Sequence, residues 1–480
     1  MLARHIVGYA PANVVPAIVS FLSIYVFTRL VSPQEYGKYA VVLSVTLMCQ
    51  ALFFYWLQVG ATRFVARAMQ EGGLDALVST AYRLFFASSL VFASLYALSV
   101  VLFPSIHALR SALWLGLPLV LARSLTALNQ AFNRGELRVL RYNMVECCQS
   151  VFGFIFGWVL VKVFAMEGAG ILLGIILGTL VMSLPGAGAI GRSISRPTSR
   201  DQGRLLLRFG LPLTFYCAMN YMLATSDRLL VEYFLGPAAV GVYSVSYNTM
   251  DRALTSVFLA VSLASFPLAI AKLEREGVES ARRQVYGNGT ALLALGLPAC
   301  AGLIVLNQHI AVVLIGERFR AQALEIMPWI AGSSLLAGFQ VHFFDHAFHL
   351  GRRTELAAWS VGPAVVVNIL LNVLLLPRIG LMGAVYATIG GYVAALCGSI
   401  GFGRTVFRID FPFRPVLRIV AATVVMISVL KIIPAPATVA GLCVLLLAGV
   451  TTYAAASLLF DVAGARSLLS RRLARRRFAQ

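Results

Sequence analysis

Negative charge is what this 480-residue chain has least of: 19 Asp and Glu stand against 39 Lys and Arg, and charged residues of both signs make up 12%. A soluble domain of this size could not coat its surface with so few. Cysteine is sparse and unpatterned. The seven residues (Cys49, Cys147, Cys148, Cys217, Cys300, Cys397 and Cys443) fall inside or at the ends of apolar segments without a C-x-x-C pair, which argues against a zinc site and against a disulfide framework. Long polar stretches are missing too. No outer loop exceeds about a dozen residues, too short for the catalytic loop of a membrane glycosyltransferase, polymerase or ligase. The inner segments leave no room for a nucleotide-binding domain, so an ATP-driven pump within this chain is excluded. The match Gly186-x-Gly188-x-x-Gly191 ends an apolar segment, with no strand before it and no acidic residue at the required distance after it, and does not indicate a dinucleotide. With no catalytic constellation, metal-ligand set or cofactor motif, the sequence predicts a carrier or channel rather than an enzyme.

What is present is apolar. Hydrophobic residues make up 59% of the chain, and the mean hydropathy is +0.84. A spanning helix needs roughly 20 predominantly apolar residues. Fourteen segments qualify: 6–28, 39–59, 82–103, 112–132, 143–164, 168–190, 209–234, 239–267, 286–314, 324–349, 356–376, 381–403, 416–433 and 437–460. The expected fold class is therefore an all-α polytopic membrane protein of about 14 transmembrane helices. The net charge of +20 follows this topology. With the amino terminus on the cytoplasmic side, inner segments carry 28 Lys and Arg and outer segments 8, alternating at every loop. The basic excess orients the chain in a membrane and is no nucleic-acid footprint. Both termini are expected in the cytoplasm. The first segment starts too close to Met1, with no small-residue cleavage site, and reads as a retained helix. The basic tail Arg466–Arg477 reads as a segment lying against anionic lipid or anchoring the last helix.

A short pattern occurs twice, as Pro33-x-x-x-Gly37-x-Tyr39 and Pro237-x-x-x-Gly241-x-Tyr243, 204 residues apart. Each copy stands between the first and second long apolar segments of its half of the chain. A duplicated bundle of membrane helices produces such spacing, and many transporters are built from duplicated halves around a midplane site.

Ionisable side chains at bilayer depth cost about 2.5–3.5 kcal/mol on insertion scales, so each is a functional candidate. Arg123 lies near the middle of 112–132, and Arg252, beside Asp251, near the middle of 239–267. Asp227 and Arg228 lie in the outer half of 209–234. Guanidinium groups bind phosphate bidentately and stay charged, so Arg123, Arg228 and Arg252 are candidates for an anionic headgroup. The alternative is structural pairing of Asp227 with Arg252, or of Asp251 with Arg228. Counted from Pro237, Arg228 is 9 residues away and Arg252 is 15, a depth offset of roughly 9 Å that disfavours head-on pairing. The segment 324–349 ends in His342-Phe-Phe-Asp345-His346-Ala-Phe-His349, with polar residues at i, i+3, i+4 and i+7, one stripe of a helix. Such a stripe reads as a proton relay or ion-coupling site, or as residues at the membrane interface. Asp227, Asp251, His342, Asp345 and His346 are the ion-coupling candidates. Amides scattered along the spans (among them Gln50, Asn129, Asn368 and Asn372) serve as interhelical hydrogen bonds or, facing a cavity, as partners for sugar hydroxyls.

FTRLVSPQEYGKYAVV, from Phe27, resembles the opening helices of polysaccharide (O-antigen type) flippases. SDRLLVEYFLGPAAVGVYSVSYN, from Ser226, resembles the start of their second half, and LLLPRIGLMGAVYATIGGY, Leu374 to Tyr392, their penultimate helix pair. These flippases belong to the multidrug/oligosaccharidyl-lipid/polysaccharide exporter superfamily. The resemblance implies two pseudo-symmetric six-helix lobes around a cavity, at 1–191 and 209–404, joined by a basic cytoplasmic linker at 192–208. Two additional transmembrane helices at 405–463 and a basic cytoplasmic tail at 464–480 complete the expected layout. It also implies a lipid-diphosphate-linked oligosaccharide carried to the outer leaflet of a bacterial inner membrane by alternating access. Expected partners are that substrate, membrane lipids, a polysaccharide polymerase and a chain-length regulator. Other readings stay open: a cation-coupled multidrug exporter, a murein-precursor flippase, or a non-transporting scaffold of a polysaccharide assembly complex.

Overall fold

The computed structural model describes residues 8–102, 109–194, 197–353 and 355–466. The start of the segment expected at 6–28, part of the 192–208 linker and the basic tail 467–480 lie outside the described residues. Among the described residues there is no strand, and every apolar segment found in the sequence is helical. In chain order the helices are α1 (Pro11–Leu30), α2 (Pro33–Gln70), α3 (Leu74–Leu102), α4 (Arg110–Gly135), α5 (Val139–Lys162), α6 (Glu167–Ile194), α7 (Arg200–Leu235) and α8 (Pro237–Glu276). They continue with α9 (Val278–Val305), α10 (Asn307–Leu314), α11 (Glu317–Phe339), a π-helical turn (Gln340–Phe344), α12 (His346–Leu350), α13 (Glu355–Ile379), α14 (Leu381–Val406), α15 (Phe413–Ile432) and α16 (Val439–Leu459). Eleven of these are long and apolar enough to cross a membrane. Beyond the short α10 and α12, the helices outside that set are α6, whose described apolar run is Glu167–Ser183, with α7 and α11. Asn220, Asp227 and Arg228 interrupt α7, and α11 opens on Glu317-Arg318-Phe319-Arg320.

Local chemistry sets the helix boundaries. Ser32 caps α2, its hydroxyl accepting from the Glu35 N–H, with Pro33 in the first turn where no N–H is needed. Ser199 caps α7 the same way. α7 stops at Gly236, whose φ of 80° suits a residue without a Cβ, and Pro237 opens α8. On α3 the exposed face is Leu90, Val91, Leu95, Leu98, Val101 and Leu102. An apolar outer face is what lipid requires of a spanning helix.

The chain divides into two compact units: Met1–Ser244 with Val365–Thr388, and Val245–Ala364 with Ile389–Gln480. In the first, the two copies of the repeat meet. A Cβ on Gly37 would overlap the Pro237 carbonyl, and a Cβ on Gly241 would overlap the Pro33 carbonyl. The repeat is thus a reciprocal backbone contact in which each glycine admits the other copy's proline carbonyl. In the second unit, α15 and α16 pack on α9. Ile419, Ala422 and Ala456 join Leu292 and Leu293 in one buried cluster, and the Tyr453 hydroxyl donates to the Ala294 carbonyl at 2.6 Å.

Candidate functional site: a buried carboxylate and a cationic seam

α7 carries Asp227 into the interior of the first unit, where 1% of it is exposed. Burying a carboxylate costs several kcal/mol unless donors surround it. Three donors from three other helices do so. Tyr243 Oη of α8 lies 2.9 Å from Oδ2, Thr388 Oγ1 of α14 lies 2.6 Å from the same oxygen, and Asn372 Nδ2 of α13 lies 2.8 Å from Oδ1. Beside it, Ser226 Oγ reaches Asn368 Oδ1 at 3.3 Å. Hydrogen-bond partners are unevenly matched here, and Asn368 Nδ2 is buried without an acceptor. The single Thr388 hydroxyl proton stands between Asp227 and the Ala384 carbonyl, 2.8 Å away, with Tyr243 Oη 3.0 Å from the same hydroxyl. Asn372 Oδ1 is buried without a hydrogen-bond partner. The carboxylate and the Tyr243 and Thr388 hydroxyls are hard oxygen groups of the kind that bind small cations. No group of three or more His, Cys, Asp or Glu converges to hold a metal ion among the described residues.

The three candidate arginines occupy different settings. Arg123 of α4 is half-buried, with Nε 3.5 Å from Gln50 Oε1 on α2, and its charge acts on Tyr221 of α7. It therefore sits on a polar seam where α2, α4 and α7 come together. Arg228 is buried inside the same unit. Its Nε donates to Ser244 Oγ at 3.2 Å, a bond that braces α7 against α8, and its Nη1 donates to the Ala224 carbonyl of its own helix at 3.0 Å. Arg252 of the second unit is exposed, and its side chain makes no ion pair or hydrogen bond among the described residues. The Asp227 carboxylate is taken up by Tyr243, Thr388 and Asn372.

The backbone departs from a regular α-helix within the stripe expected from His342 to His349, whose three histidines all lie against α8. The π turn Gln340–Phe344 inserts an extra residue into the helical repeat, which rotates the following side chains out of α-helical register. Asp345 is turned to Gln340 Nε2 at 2.7 Å and to Ser399 Oγ of α14 at 2.6 Å. The histidines go to α8 instead. His342 stacks on Phe258 with centroids 6.0 Å apart, and His346 stacks on Phe266 at 4.0 Å with Nε2 3.4 Å from Ser262 Oγ. The stripe becomes a carboxylate held on one side and imidazoles layered on aromatic rings on another. Asp251 is half-buried next to Arg252.

The sequence named Asn368 and Asn372 only among scattered amides and did not connect Tyr243 or Thr388 with Asp227. The available signal was a pair of Asn four residues apart in an otherwise apolar run, which marks one polar helix face.

A family model described as polysaccharide biosynthesis protein matches residues 26–323. The probable low-salt glycan biosynthesis flippase Agl15 of Haloferax volcanii is 24% identical over 398 residues, covering 81% of this chain and 80% of that protein. The lipopolysaccharide biosynthesis protein WzxC of Escherichia coli K12 is 26% identical over 195 residues, 40% of this chain and 39% of that one. The structure of the lipid II flippase MurJ in an inward closed conformation superposes with a TM-score of 0.76 at 14% identity, over 96% of this chain and 99% of that one. The fold is shared with that structure, and the resemblance carried by the three sequence patches is borne out. The matched span holds both copies of the repeat, the Asp227–Tyr243 contact and the Arg123 seam, and covers more than half of the sequence: the chain belongs to the polysaccharide biosynthesis protein family.

Proposed function

We propose that this protein translocates a polyprenyl-diphosphate-linked oligosaccharide from the inner to the outer leaflet of a bacterial inner membrane, for O-antigen, capsule or exopolysaccharide synthesis. Family membership is the observation that carries the substrate class, and a relative named as a glycan biosynthesis flippase agrees with it. Both termini face the cytoplasm. Lobes at 1–191 and 209–404 alternate access to the two leaflets, with α15 and α16 as additional helices and the chain's own chemistry limited to binding and movement. Arg123 and Arg252 hold the diphosphate, since guanidinium pairs with phosphate oxygens bidentately and keeps its charge in a dry cavity. Arg228 supports that floor from within the protein. Asp227, with the Tyr243 and Thr388 hydroxyl oxygens beside it, takes the coupling cation. A polymerase and a chain-length regulator receive the product on the outer side.

Depletion in the host, with the lipid-linked oligosaccharide assayed by an external glycan label, tests this reading. Accumulation on the cytoplasmic side, rescued by the wild type but not by Arg123→Ala or Arg252→Ala, is the expected result. Normal external exposure would overturn it in favour of a drug exporter or a scaffold. Inward accumulation of the murein precursor instead would identify that lipid as the substrate.

A further inference from the structure

A cavity lies along the seam that holds Arg123. It has a volume of about 480 Å³ and is formed by α2, α4 and α7, with Tyr55, Gln58, Thr62, Arg63, Arg134 and Phe209 in its wall. The wall has two guanidinium groups and no carboxylate. Neither Arg63 nor Arg134 makes an ion pair or a side-chain hydrogen bond among the described residues, and Arg134 stacks over the Tyr142 ring at 5.6 Å. Gln58 is 8% exposed, and its Nε2 is buried without a hydrogen-bond partner. A buried amide donor left without an acceptor costs about 1–3 kcal/mol. Two cations and an unfilled donor on one cavity describe a site for an anion with several oxygens.

Its place along the seam follows from the helices. Gln58 is 8 residues beyond Gln50 on α2, and Arg134 is 11 beyond Arg123 on α4, while Phe209 is 12 before Tyr221 on α7. At 1.5 Å per residue these offsets are roughly 12–18 Å. All three run toward the ends of the helices that the charge bias puts at the cytoplasm. We propose that Arg63, Arg134 and Gln58 form a separate phosphate-binding station near that end, where the diphosphate of the lipid-linked substrate docks before it reaches Arg123. The assignment of substrate rests on the flippase reading above. The chemistry itself, phosphate oxygens against guanidinium and amide donors, is shared with the headgroup of an anionic phospholipid.

Calorimetric titration of the full-length protein in detergent with farnesyl diphosphate, and separately with dioctanoyl phosphatidylglycerol, distinguishes the two sources. The double variant Arg63→Gln/Arg134→Gln is expected to weaken farnesyl diphosphate binding at least tenfold and to leave phosphatidylglycerol unchanged. Gln58→Leu is expected to weaken the same probe severalfold, and Arg63→Lys/Arg134→Lys to restore part of the loss. An unchanged melting temperature in the double variant separates lost binding from lost folding. If phosphatidylglycerol alone weakens, the cavity is a lipid site and the substrate station is overturned. If Arg123→Gln weakens the diphosphate probe and the double variant does not, the station is overturned while the flippase reading stands. Failure of the leaflet assay would instead remove the flippase reading and leave any measured diphosphate affinity of the cavity intact.

Discussion

Asp227 and Asp345 are both carboxylates sealed inside helical packing, and they are built in different ways. Asp227 is held by side chains 16, 145 and 161 residues away in sequence, on α8, α13 and α14. Asp345 is held by Gln340, five residues back on the π turn, and by Ser399, 54 residues on. Around Asp227 the Thr388 proton has more than one acceptor, and Asn372 Oδ1 has no partner. The unsatisfied acceptor beside Asp345 is Gln340 Oε1. A carboxylate assembled from four helices responds to any relative shift of those helices. Asp345 ties its own turn to one other helix, α14. Asp227 therefore depends on the packing of more helices than Asp345 does.

Asp227→Ala tests the comparison hardest. It strands Tyr243, Thr388 and Asn372 together, a loss of about 3–5 kcal/mol that should appear as the largest fall in melting temperature of the series. Sodium chloride is expected to stabilise the wild type more than choline chloride does, and in the milder Asp227→Asn that difference is expected to vanish. Equal sodium stabilisation of both proteins would remove the cation role. Asp345→Ala leaves two donors unmatched, one of them on a local turn, and should cost about 2–3 kcal/mol with sodium stabilisation retained. Thr388→Val removes one donor from Asp227 at a cost of about 1 kcal/mol, and should lower the sodium effect more than the melting temperature. The smallest effect is expected from His346→Phe. It keeps the stack on Phe266 and removes a buried Nδ1 that has no partner, so the stability should stay within about 0.5 kcal/mol of wild type and leaflet transport should persist. Loss of transport in that variant would restore the histidines as a relay.

Much of the fold was legible because the membrane makes the relevant signals one-dimensional. The span of α3 and the alternation of Arg and Lys between loops follow from runs of apolar residues and from charge in order along the chain. The repeat was legible as a pattern. That Gly37 and Gly241 each receive the other copy's proline carbonyl was not, since contact between residues 204 apart has no local trace. The candidate site was half legible. Asp227 stood out as a costly charge in an apolar segment, but its partners looked like ordinary Tyr, Thr and Asn. In the stripe from His342 to His349 the three histidines were legible as one side of a helix, whereas the π turn and the Asp345 contacts to Gln340 and Ser399 are announced by no residue type.

By itself, then, the sequence determined that the chain is built of helices long and apolar enough to cross a membrane, how basic residues alternate between its loops, and which polar residues interrupt the apolar segments. Only the tertiary structure decided which of those residues meet. Depth is set by counting along an axis, whereas contact depends on how each helix is rotated and packed against its neighbours, and that is settled by all the helices at once.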